Sequence, residues 1–282
     1  MWLRPYYPTH LVPASEDEVV KLNVLGVNYQ SVFGSINYVS TGTRLYISHA
    51  VSSLSQFLER PGYLHWQAFL HVLCYLKGTP DVGLIYSKRS QLSVRAYSDA
   101  NWGSCVETQR SVTGFLATLE GNLMLWKTRK HPLVSISSAE AEYKAVCALA
   151  LELLWLKKWA QECSLLEMAS PILIHDNNQG CINTINGDCN VNNQRMTHVD
   201  IQLHFVKEAV WHGVFELVYT PTNCMLADFL TKSVNRPSLD HSLEDLGILS
   251  LGVRGSVENK DQNQFDQQSA TPIISKCHNA QL

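Results

Sequence analysis

Ser137-Ser138-Ala139-Glu140-Ala141-Glu142-Tyr143 opens the longest apolar helical pattern of the chain, and its two glutamates separate on physical grounds. A serine followed three residues later by a glutamate is a capping box. The Ser137 hydroxyl accepts from a first-turn amide and Glu140 reaches back over the helix start. Glu140 therefore has a structural task. Glu142 falls instead on the row of Val146, Leu149 and Leu153, the row that faces the sheet. A carboxylate at the head of a buried row needs a partner, and a metal ion supplies one.

The helix is predicted over about residues 138–162. Strand-like segments at 92–97, 112–119 and 123–126 precede it, the last two joined by Glu120-Gly121-Asn122 as a hairpin turn. After Pro171 come an apolar strand at 172–175, a helix at 199–212, a strand at 215–219 and a short helix at about 225–231. Three strands, helix, strand, helix or helices, strand, helix describe an α/β fold. The expected sheet is mixed and five-stranded, antiparallel at its start, with parallel additions and flanking helices.

Upstream, apolar residues at 47, 50, 51, 54, 57 and 58, and again at 66, 69, 70, 73 and 76, mark two helical faces separated by Pro61-Gly62. Residues 29–88 read as a small helical module ahead of the 92–232 domain. Residues 1–28, with Pro5, Pro8, Pro13 and the acidic run Glu16-Asp17-Glu18, read as an extended leading segment. Residues 233–249 form a C-terminal extension, and the Asn-, Gln- and Asp-rich stretch at 250–282 reads as disordered.

The composition is 45% hydrophobic and 17% charged, that of a globular protein. No run of about 18 apolar residues suggests a membrane span. The formal charge of −3 excludes a wholesale polyanion binder, so any nucleic-acid contact must come from a local basic patch. Eight cysteines are scattered without a CxxC pair, which favours free thiols in a reducing compartment. An intracellular protein, cytoplasmic or nuclear, is expected.

Four acids stand at element junctions. Asp99 closes the first strand, Asp176 closes the strand after Pro171, Asp228 lies in the last short helix, and Glu142 heads its buried row. Taken singly, the three aspartates are ordinary caps, turn formers or surface acids. Taken together they match what two-metal phosphodiester hydrolysis needs: oxygen ligands from separate elements around cations roughly 4 Å apart. Carboxylates suit two Mg2+ ions, with Mn2+ able to substitute.

The strings that carry these acids, and two that lie between them, are ordered along the chain. They are Ser98-Asp99-Ala100-Asn101-Trp102, Arg110-Ser111-Val112-Thr113-Gly114-Phe115, Ser137 to Tyr143, Asp176-Asn177, Thr197-His198-Val199-Asp200 through His204-Phe205, and Ala227-Asp228-Phe229-Leu230-Thr231-Lys232. Together they resemble the ribonuclease H region of copia-type retrotransposon Pol polyproteins. Tyr29 to Tyr38 and His71 to Thr79 resemble the connection segment that precedes that region. The resemblance implies a ribonuclease H-like fold, with Asp99, Glu142, Asp176 and Asp228 as catalytic metal ligands. It implies endonucleolytic cleavage of the RNA strand of an RNA–DNA hybrid, leaving a 3′-hydroxyl and a 5′-phosphate. Two departures are visible. Thr43-Arg44-Leu45-Tyr46 replaces the family's usual Thr-Arg-Pro-Asp, and His175 stands where a small residue or Cys is common. Neither removes an acid.

For the substrate, Lys127 and Arg129 in the basic cluster Lys127-Thr128-Arg129-Lys130-His131 are candidates for phosphate contact, with a solvated turn as the alternative. Asn101, Asn177, Asn178 and Gln179 lie beside the acids and could read 2′-hydroxyls, or serve as loop and cap residues. Trp126, Trp155 and Trp159 suit packing better than base stacking. The chain has no Asp-Asp pair, so a polymerase palm is missing and a polymerase-bearing part of the same polyprotein is the expected partner. The rival reading is a catalytically idle nucleic-acid-binding or interaction remnant.

Overall fold

The computed structural model describes residues 11–87, 93–163, 171–187 and 198–250. Among them the helices are α1 (Glu16–Val24), α2 (Tyr29–Gly42), α3 (Ser48–Ser55), α4 (Tyr63–Gly78), α5 (Ser138–Glu162), α6 (Gln179–Asn186), α7 (His198–Trp211), α8 (Asp228–Thr231) and α9 (Arg236–Asp245). The strands are β1 (Val82–Leu84), β2 (Val94–Asn101), β3 (Val112–Leu119), β4 (Asn122–Lys130), β5 (Ile172–Asp176), β6 (Phe215–Tyr219) and β7 (Ile248–Ser250). Five of these strands form a mixed sheet in the order β4-β3-β2-β5-β6, as expected. The pairs β2–β3 and β3–β4 are antiparallel, whereas β2–β5 and β5–β6 are parallel.

Alternation along the central strands sends side chains to two different cores. Phe115 and Ala117 of β3 and Val94 and Ala96 of β2 face α5, where Val146, Leu149 and Leu153 are buried. Leu116 of β3 and Tyr97 of β2 face the other way, against Phe69, Tyr46 and Leu54 of the N-terminal helical region. A strand covered on both sides reads as a nearly continuous apolar run, which β3 does. Each fully buried leucine on these faces contributes roughly 1.5–3 kcal/mol.

The helical region is therefore the second cover of the sheet. Its core also takes in Leu239, Leu243, Leu246 and Ile248 from the C-terminal extension. There β7 pairs antiparallel with β1, Val82 opposite Ser250 and Leu84 opposite Ile248. Sharing one core predicts one cooperative unfolding transition. Phe69→Ala should cost about 3–5 kcal/mol of stability and move the single urea midpoint down accordingly. Two separate transitions, with only the first moved by the substitution, would show the layers to be independent.

Four expectations are corrected. Residues 16–24 are helical rather than extended: Ser15 caps α1 by accepting from the Glu18 amide at 3.4 Å, and Glu16, Asp17 and Glu18 occupy the first turn. Acids there oppose the positive end of the helix dipole, so the acidic run is a helix start. The strand β2 runs two residues past Asp99, to Asn101, and β4 extends to Lys130 rather than stopping at 126. Trp126 is half-buried and donates from Nε1 to Ser40 O at 3.0 Å, but Trp155 and Trp159 are 62% and 43% exposed. Finally, Cys74, Cys105, Cys147, Cys163 and Cys181 are free, whereas Cys224 is disulfide-bonded. The expected tail beyond residue 250, together with Pro5, Pro8, Leu92, Cys189, Thr197 and Cys277, lies outside the described residues. Among the described residues, no helix is long and apolar enough to cross a membrane.

Candidate metal centre

At one end of the sheet, the register places Asp99 of β2, Gly114 of β3 and Thr128 of β4 side by side. The one-turn helix α8 lies against this row, and the Thr231 hydroxyl donates to Asp99 Oδ2. Asp228 heads α8; its Oδ2 takes an ion pair from Lys232 Nζ at 2.9 Å, while Oδ1 is buried without a hydrogen-bond partner. Asp176 ends β5 and accepts from the Asn178 amide at 2.7 Å through Oδ1, leaving Oδ2 buried and unpartnered. Glu142 enters from α5; the Ala100 amide bonds its carboxylate, and its Oε2 is likewise buried without a partner.

The four carboxyls feel one another. Burial, then the charges of Asp176 and Asp99, pushes Glu142 far above the usual carboxylate range. Burial and Asp99 together push Asp176 up to about 7. The same two causes push Asp228 up to about 6, against the opposing pull of Lys232. Burial works against the charge of Lys232, yet Asp99, Asp228 and Glu142 hold its pKa above the ordinary lysine value. Asp99 is thus the shared neighbour of the cluster.

Three orphaned carboxylate oxygens from three elements, around a fourth acid, suit a hard divalent cation better than any protein donor nearby. The residues fit such a group by their chemistry. Their present arrangement is not a closed cage: among the described residues no three acidic, histidine or cysteine side chains stand ready to grip one ion. Thr231 and Lys232 instead occupy one oxygen each of Asp99 and Asp228.

Glu140 is spent on the fold. Ser137 accepts from the Glu140 amide at 3.1 Å, and Glu140 Oε2 accepts from the Ile136 amide at 2.8 Å. Its other oxygen pairs with Lys144 at 2.7 Å. The reach back goes one residue beyond the capping serine, but it does engage the helix start.

The substrate candidates divide. Asn101 and Asn178 lie beside the acids with their side chains engaged in the fold. Asn101 donates to Thr231 O at 3.3 Å, and Asn178 caps α6 by accepting from the Cys181 amide at 3.0 Å. Asn177 is half-buried and Gln179 exposed, both following directly on Asp176. Lys127 and Arg129 are exposed on the α5 side of the edge strand. Lys127 pairs with Glu152 at 3.0 Å. That glutamate lies ten residues beyond Glu142 on α5, roughly 15 Å along the axis. The structure therefore gathers the four acids and the asparagines, and leaves the two basic residues apart from them. Sequence reasoning missed Thr231, Lys232, Thr128 and Gly114; only a glycine inside a strand signalled a close approach there. A cavity of about 360 Å3 between α3, α4 and the loop after β2 has Asn101 and Lys232 in its wall, so the helical layer also shapes the surface beside the centre.

A mixed five-stranded sheet with three buried acids and the half-buried Asp228 at one end defines an α/β protein with an acidic centre. The retrovirus-related Pol polyprotein from transposon RE2 of Arabidopsis thaliana is 34% identical over 232 residues, covering 79% of this chain and 15% of that polyprotein. Its counterpart from transposon TNT 1-94 of Nicotiana tabacum is 31% identical over 240 residues, 85% of this chain and 18% of that one. The homologues of the chain are thus copia-type retrotransposon Pol polyproteins, matched over most of its residues. The chain spans less than a fifth of the length of these relatives. Among solved structures, the LC11 ribonuclease H1 in complex with an RNA/DNA hybrid is 17% identical, with a TM-score of 0.36 over 54% of this chain and 99% of that one. No protein-family model matches the chain.

Proposed function

We propose that this chain is a metal-dependent endonuclease that cleaves the RNA strand of RNA–DNA hybrids, as the ribonuclease H part of a copia-type Pol polyprotein. One observation carries the reading: Glu142, Asp176 and Asp228 each bury a carboxylate oxygen with no partner around the shared neighbour Asp99. Two Mg2+ ions, or Mn2+ in their place, held by these four acids would supply an activated water and stabilise the leaving oxygen.

The chain's own residues orient that chemistry. The Asn178 amide fixes the rotation of Asp176, and the Ala100 amide does the same for Glu142. Lys232 places a positive charge where an anionic backbone would approach Asp228. Asn177 and Gln179 are the amides best placed to meet a 2′-hydroxyl, because the side chains of Asn101 and Asn178 are committed to the fold. Lys127 and Arg129 serve as a more distant contact for the phosphate backbone. A polymerase-bearing part of the same polyprotein is the natural supplier of the hybrid.

The idle-remnant reading draws on the contacts of Thr231 and Lys232, which hold oxygens a cation would take. Purified chain with an end-labelled RNA–DNA hybrid in Mg2+ or Mn2+ separates the two. The nuclease cleaves only the RNA strand, leaving 3′-hydroxyl ends. Binding of the hybrid without any cleavage in either metal would establish the remnant instead.

A further inference from the structure

The helix α8 is a single turn, closed by the Lys232 amide donating to Asp228 O at 3.1 Å. One turn of helix does not hold itself together, because nucleation costs more than one hydrogen bond returns. Yet α8 carries Asp228, Thr231 and Lys232 to the acidic centre. Its position must come from the sheet beneath it.

The row Asp99, Gly114 and Thr128 crosses three strands and points to one face, with Asn101 two residues on from Asp99 on that same face. Each member meets α8 differently. Thr128 Oγ1 donates to Leu230 O at 2.9 Å, and Asn101 Nδ2 donates to Thr231 O at 3.3 Å. These bonds satisfy carbonyls that a helix C-terminus leaves without intrahelical partners. Asp99 accepts from the Thr231 hydroxyl. Gly114 contributes empty space: a Cβ there would stand 2.6 Å from Thr231 Cγ2, 2.7 Å from Leu230 Cβ and 3.1 Å from the Leu230 carbonyl carbon.

We propose that this cross-strand row is a seat for α8, and that Gly114, Thr128 and Asn101 are positioning residues that set Asp228 against Asp99. The consequence for catalysis rests on the nuclease reading above; the seat itself does not. Thr128→Val removes the latch at nearly constant shape, and Thr128→Ser restores the hydroxyl. Gly114→Ala is the severe arm, since it must lift the backbone of α8.

The test uses the full chain and three readouts. Hydrogen exchange of a peptide spanning residues 226–232 should accelerate about tenfold in Thr128→Val while the β2, β3 and α5 amides keep their rates; Thr128→Ser should return it to the native rate. Mn2+ affinity, read from the electron paramagnetic signal of free Mn2+, should weaken several-fold in parallel. In hybrid cleavage, kcat should fall about tenfold with KM little changed, and about a hundredfold in Gly114→Ala. Unchanged exchange at 226–232 together with native Mn2+ affinity in Thr128→Val would overturn the seat. A native chain that neither binds Mn2+ nor cleaves would defeat the nuclease reading instead. The exchange comparison would then decide the seat alone, faster exchange in Thr128→Val supporting it and native exchange overturning it.

Discussion

Asp99→Asn is expected to reduce hybrid cleavage by roughly 10³-fold, the scale of losing a preorganised electrostatic group at a reacting centre. The same substitution should raise the melting temperature of the metal-free protein. The two effects run in opposite directions for one reason. The charge of Asp99 contributes to the raised pKa of Glu142, Asp176 and Asp228, so in the absence of a cation it is a source of repulsion among buried acids. An asparagine oxygen still accepts from Thr231, so the seat of α8 keeps its contact. Glu142→Gln should abolish cleavage similarly. Glu140→Gln should keep turnover and cost only about 1 kcal/mol, the worth of a helix-start contact. A metal-free Asp99→Asn protein that melts well below the native one would mean that Asp99 is a structural acid. Cleavage that survives Asp99→Asn would remove it from the centre altogether.

The second large effect is the response of the metal-free protein to pH. Asp176 and Asp228 have folded-state pKa values raised to about 7 and about 6, and that of Glu142 is raised further still. A carboxyl with a raised folded pKa binds its proton more tightly in the native state than in the unfolded one. Stability therefore falls as pH rises from the unfolded value toward the folded one. Histidines work the other way: burial lowers His49, His131 and His175 to about 4, so they destabilise the fold only below their unfolded pKa near 6.5. Between pH 6.5 and 8.5 the carboxyls act almost alone. In chelator, stability should drop by a few kcal/mol across that window, at about 1.4 kcal/mol per proton per pH unit. Saturating Mn2+ or Mg2+ should cancel most of the drop, because a cation replaces the protons. A melting temperature flat from pH 6.5 to 8.5 without metal, and unmoved by adding it, would rule out a cation-hungry cluster.

Much of the fold is written in short stretches. Ser137 and Glu140 start α5 through contacts three or four residues apart, and that alone distinguishes Glu140 from Glu142. The order of strands and helices, hence the mixed sheet, follows from local periodicity and turn residues. Local signals also misled. The acidic run at Glu16 was masked by neighbouring prolines, although the capping serine was present. The strands β1 (Val82–Leu84) and β7 (Ile248–Ser250) are three residues each and pair across a long stretch of chain, so no local pattern could announce them. Trp155 and Trp159 lie on a helix whose opposite rows are buried, and only the packing shows that they face outward.

The acidic centre divides along the same line. The sequence by itself determined which four acids are candidates: Glu142 from its buried helical row, and Asp99, Asp176 and Asp228 from their joint placement and the family resemblance. Tertiary structure alone decided that Asp99, Gly114 and Thr128 form one row beneath α8, and that Thr231 and Lys232 complete the centre. A row across strands is created by register, which aligns residues far apart in the chain. No spacing along the chain encodes it directly.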